Sequence, residues 1–106
     1  MSYRYMRMLL FFDLPMITNE EKRNYIKFRK HLIKNGFFML QESVYCKLVL
    51  NPTVANSVMK NLEENKPPQG LIQMLIITEK QYEKMIILLG ESSSEVLNTD
   101  SRMVIL

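Results

Sequence analysis

Met6-Arg7-Met8-Leu9-Leu10-Phe11-Phe12-Asp13-Leu14-Pro15 is the stretch from which the fold follows. A nearly unbroken apolar run of this length suits a central β-strand covered on at least one face. Pro15 closes it, because proline offers no N–H to continue a ladder. Asp13 then stands at the exit of a buried strand. A carboxylate there is costly unless it meets a cation, a hydrogen-bond donor or water, so the position is either a turn-former or a chemical centre.

Downstream, Thr18 with Glu21 three residues on forms a capping-box pattern, and the helix that starts there runs to Gly36, a residue suited to a left-handed stop. Tyr25, Phe28 and Leu32, with Ile26 and Ile33 alongside, give this helix its apolar stripe. Phe37 to Leu40 and Ser43 to Val49 read as two strands joined by a short polar step, a hairpin or a bulged bend. Asn51-Pro52 sets a cap before proline at the first helical position, and Val54, Val58 and Leu62, with Ala55 and Met59, mark a second amphipathic helix. Lys66-Pro67-Pro68-Gln69-Gly70 ends it. Leu71 to Ile77 is another strand, and Thr78 to Gln81 repeats the capping pattern. Met85 to Leu89 continues that helix or forms a further strand; Glu91 to Ser101 is polar and serine-rich, and Arg102 to Leu106 returns to strand character.

The order β-α-β-β-α-β, with extra strand material at the C-terminal end, is the ferredoxin-like arrangement of an α+β domain. The expected division is a domain over 1–90, a flexible segment over 91–101 and a C-terminal strand over 102–106. Such a sheet carries both helices on one face. Here its strands look apolar on both faces, so a second sheet must cover the other side, most simply that of an identical chain packed face to face. The apolar end, Met103 to Leu106, is placed to add a strand to the partner's sheet edge.

At 106 residues the chain suits one domain that buries roughly 60 to 70% of its unfolded surface. No apolar run approaches the ~20 residues of a membrane span. The lone Cys46 excludes an intrachain disulfide and a cysteine-based zinc site within one copy. Asp13 and Pro15 interrupt the only stretch that resembles an export signal, so a cytoplasmic location is expected.

Net charge is +3, but its distribution matters more. Between Lys22 and Lys34 lie six cations, Lys22, Arg23, Lys27, Arg29, Lys30 and Lys34, with no Asp or Glu among them. A charge run is usually a solvated face; this one exceeds what solubility needs and points to phosphate contact, with Arg23, Arg29, Lys30 and Lys34 expected to face outward. No base-reading motif accompanies it, so binding is expected to be independent of sequence. The only histidine, His31, reads as a partly buried helix residue rather than a general base, Ser43 as a backbone partner at the bend, Tyr45 as a packing residue and Cys46 as a small buried apolar side chain.

Four pieces now stand in order: Phe11-Phe12-Asp13-Leu14-Pro15, the basic first helix, Gln41-x-Ser43-Val44-Tyr45, and Leu75-Ile76-Ile77-Thr78-Glu79-Lys80-Gln81. Together they resemble the CRISPR-associated protein 2 family, the small subunit of the spacer-acquisition machinery, in the branch from systems with a single large effector nuclease. The resemblance covers nearly the whole chain. It implies a homodimer that bridges dimers of the integrase subunit, CRISPR-associated protein 1, and holds protospacer double-stranded DNA across its surface. It also implies a Mg2+-dependent endonuclease activity, on single-stranded RNA or double-stranded DNA, with Asp13 of each protomer as catalytic residue and metal ligand. Magnesium takes octahedral oxygen ligation, usually one or two carboxylates plus waters and phosphate, so Asp13 is expected to serve as a ligand where dimer symmetry doubles it. Met39 stands where many relatives have a basic residue, while Lys22 and Arg23 fall near their basic positions after the strand-end Asp. That pattern favours phosphate contact over catalysis.

Overall fold

A computed structural model describes residues 5–89. The expected segments 91–101 and 102–106 lie outside them. β1 spans Met6–Asp13, α1 Asn19–Lys34, β2 Phe38–Gln41, β3 Val44–Val49, α2 Pro52–Asn65, β4 Leu71–Thr78 and α3 Glu79–Glu83.

Local chemistry accounts for the boundaries. The Thr18 hydroxyl accepts from the Glu21 N–H at 3.0 Å while Glu21 Oε1 accepts from the Thr18 N–H, closing the capping box; the Ile17 N–H donates to the same oxygen. These two backbone donors hold the Glu21 carboxyl below its ordinary range. Gly36, at φ +92°, turns the chain out of α1 where Lys47 Nζ donates to the Asn35 carbonyl. Asn51 Oδ1 caps α2, with Pro52 in its first turn, and Thr78 caps α3 through the same reciprocal pattern as Thr18.

The four strands form one antiparallel sheet in the order β2-β3-β1-β4, the ferredoxin-like topology. Glu42 and Ser43 make the turn between β2 and β3, with a bulge between Met39 and Gln41, so the hairpin and the bulged bend are both present. Period-two alternation sends Met8, Leu10 and Phe12 to the helix-covered face, where they join Phe28 and Leu32 of α1, Tyr45 of β3 and Leu62 of α2. Phe12 is the hub: its ring centroid lies 5.6 Å from that of Phe28, edge-on, and 5.5 Å from that of Tyr45. His31 is half-buried between the helices, with Nε2 2.7 Å from Asn61 Oδ1. Tyr45 and Cys46 are fully buried, as expected.

Two expectations need correction. Ile26 and Ile33 are not core residues of α1; they are 49% and 53% exposed, because only the arc through Tyr25, Phe28 and Leu32 meets the sheet. Met85 to Leu89 is neither helix nor strand: α3 ends at Glu83, and Ile86, at 80% exposure, finds no apolar surface among the described residues.

α3 itself is clasped to the open face of the sheet. Arg7 donates Nε to Glu79 Oε1 at 2.7 Å and Nη2 to Oε2 at 3.1 Å, and its guanidinium lies 4.3 Å from the Tyr82 ring centroid. The pairing holds Glu79 below the usual carboxylate range. A depressed carboxyl contributes stability that is fully present above its ordinary value of 4.5 and is lost as pH falls through the folded value. The protection factors of the α3 amides, taken relative to the intrinsic exchange rate at each pH, are therefore expected to fall on acidification below pH 4.5 in the wild type, and Glu79→Gln to weaken that pH dependence. The pair is worth only about 1 kcal/mol or less, being partly open to solvent.

Candidate nucleic-acid interface and strand-end carboxylate

All six cations of the basic run are exposed on α1, and helical periodicity sorts them into two lines. Arg23, Lys27, Lys30 and Lys34 recur at i, i+4, i+7 and i+11, one stripe along the outward side. Lys22 and Arg29 lie on a neighbouring line with Ile26 and Ile33, at the same spacing. Arg29 differs further in that its Nε donates to the Tyr45 hydroxyl at 3.0 Å, so a nitrogen expected to face outward is held by the core.

The outward stripe is suited to phosphate contact. Four positive side chains spaced over about three helical turns cover ~16 Å, and they need no defined base geometry to bind a strand backbone. Of the two acids in α1's first turn, Glu21 is engaged in the capping box and Glu20 forms no ion pair with these cations among the described residues.

Asp13 ends β1 opposite Leu71 of β4, and it is exposed. It alternates onto the same face as Arg7, Leu9 and Phe11, the face that no helix of the main pair covers. Gly70, at φ +108°, packs its turn against this exit: a Cβ there would come within 3.0 Å of the Asp13 carbonyl. Asp13 takes no part in an ion pair among the described residues.

That carboxylate is a suitable hard-oxygen donor for magnesium, and it supplies one ligand of the six that the ion takes. Among the described residues no group of three His, Cys, Asp or Glu side chains is placed to hold a metal. Glu79, a carboxylate on this side of the sheet, is committed to Arg7.

The open face also carries Phe11, Phe38, Leu48, Leu71 and Leu75, between 37% and 57% exposed. Cys46, beneath them, has its thiol pushed up by burial and accepts from Arg7 Nη1 at 3.8 Å. Sequence reasoning missed both the Arg7 clasp and the division of the basic run. Helical spacing carried a signal for the second; nothing local in the sequence linked Arg7 to Glu79.

The family model described as "CRISPR associated protein Cas2" matches residues 6–85. A protein named CRISPR-associated endoribonuclease Cas2 from Treponema denticola is 59% identical over 101 residues, spanning 95% of this chain and 100% of its own length. Proteins of the same name from Streptococcus mutans and Ligilactobacillus salivarius are 48% and 46% identical over 101 residues, each across 95% of this chain, and across 93% and 100% of their own lengths.

Proposed function

The chain belongs to the CRISPR associated protein Cas2 family, and from that premise we propose that it acts in CRISPR adaptation as a homodimeric scaffold: it holds protospacer double-stranded DNA by its phosphates and bridges dimers of the integrase subunit. The observation that carries this reading is the stripe Arg23, Lys27, Lys30 and Lys34 on the exposed side of α1. Two copies offer eight such cations. The apolar open face supports the dimer, because a patch of this kind on one chain is best removed from water by a second sheet.

Binding of a short duplex should then be steeply salt-dependent. With roughly 4 to 8 phosphates neutralised, the slope of log K against log salt is expected at about −4 to −7. A slope near zero, measured by fluorescence anisotropy between 50 and 200 mM salt, would remove the electrostatic basis of the proposal.

The name shared by the relatives, endoribonuclease, favours a second reading, an endonuclease for which we propose single-stranded RNA as substrate, with double-stranded DNA as the other candidate. Mg2+ is the proposed cofactor; when bound it supplies Lewis-acid stabilisation of the charge that develops on the phosphoryl group. Asp13 from each of two copies would provide the carboxylates, and the α1 stripe would hold the substrate's phosphates. In this reading Asp13→Ala abolishes cleavage and leaves the fold and duplex binding intact. Cleavage at the wild-type rate by the purified variant would identify a contaminating nuclease.

A further inference from the structure

The second line on α1 has a composition that phosphate binding does not explain. Ile26 and Ile33 stand seven residues apart, half exposed, and alternate with Lys22 and Arg29. Seven residues of helix are about 10.5 Å, two turns, so both isoleucines point the same way. The Arg29–Tyr45 hydrogen bond places this flank over β3, on the side away from α2, which meets α1 through His31 and Asn61. Met39 of the edge strand β2 pairs with Tyr45, which places it on the same side of the sheet as this flank, and is 51% exposed.

We propose that the flank formed by Ile26, Ile33 and Met39, bracketed by Lys22 and Arg29, is a docking surface for an acidic amphipathic helix of another protein. Two apolar knobs two turns apart match the i, i+7 spacing of a helix laid alongside α1. The bracketing charges are both positive, and the Arg29 guanidinium is oriented by Tyr45 through Nε alone, leaving its terminal nitrogens for a carboxylate. A nucleic-acid backbone gains nothing from isoleucine. A second copy docked here by a two-fold axis would set cation against cation.

The test uses the full-length chain and two fluorescent 18-residue helical peptides. Both carry leucine at i, i+3 and i+7; one is flanked by glutamates, the other by lysines. The glutamate peptide is expected to bind, and Ile26→Ser with Ile33→Ser to weaken it at least about tenfold while the melting temperature holds, since both positions are exposed. Lys22→Glu should weaken the glutamate peptide and strengthen the lysine peptide, whereas Arg23→Glu with Lys27→Glu should change glutamate-peptide affinity less than Lys22→Glu does. Equal binding of the two peptides, or affinity unmoved by the isoleucine changes, would overturn the proposal. So would a fall in duplex affinity, or a loss of oligomer mass, caused by the isoleucine changes with peptide binding unaltered; the first would assign the flank to nucleic acid, the second to self-association.

Discussion

Replacing Arg23, Lys27, Lys30 and Lys34 together by glutamate is expected to lower duplex affinity by about two to four orders of magnitude at 100 mM salt and to flatten its salt dependence. Each lost phosphate contact removes about 0.9 from the slope of log K against log salt, and each new carboxylate adds repulsion where attraction stood. All four side chains are exposed on one side of α1 and none takes part in an ion pair among the described residues, so the fold should tolerate the change. Lys22→Glu, on the neighbouring line, is expected to cost much less. Equal losses from both would mean that the whole helix, and not the stripe, lies on the nucleic acid.

Phe12→Ala is expected to destabilise the chain by about 3 to 5 kcal/mol, a large share of the roughly 5 to 15 kcal/mol that holds a domain of this size folded. Phe12 is 5% exposed and meets Tyr25, Phe28 and Tyr45, so truncation leaves a cavity between the sheet and α1. Urea unfolding followed by circular dichroism measures it. Phe11→Ala, one residue earlier and 37% exposed on the opposite face, should cost the isolated chain far less. It should instead weaken the proposed dimer, which analytical ultracentrifugation reads separately.

Much of the architecture is legible in short-range chemistry. Thr18 with Glu21, Asn51 with Pro52, Thr78 with Gln81 and Gly36 each place a helix end where the structure has one, because caps and left-handed stops act over three or four residues. The apolar strands and their order then leave the ferredoxin-like sheet as the simplest packing. What local pattern cannot carry is long-range partnership. Ile26 and Ile33 fit an apolar helix pattern, yet the sheet meets only a narrower arc. Arg7 and Glu79 are 72 residues apart, and only the pairing of β1 with β4 brings them together. Met85 to Leu89 has strand-like composition and no strand, since none of the described strands pairs with it. For the site, the six cations and the strand-end Asp13 are legible in the sequence; the fold was needed to show all six exposed, to divide them into two lines, and to show that among the described residues no group of three metal-ligating side chains forms.

Asp13 and the stripe make opposite demands on the function of this chain, and spacer acquisition in cells carrying Asp13→Ala separates them. A protein that works by holding phosphates sustains acquisition at the wild-type level without that carboxylate. Loss of acquisition, with the oligomeric state and duplex affinity of the variant unchanged from wild type, would contradict the proposed scaffold and move the chemistry to Asp13.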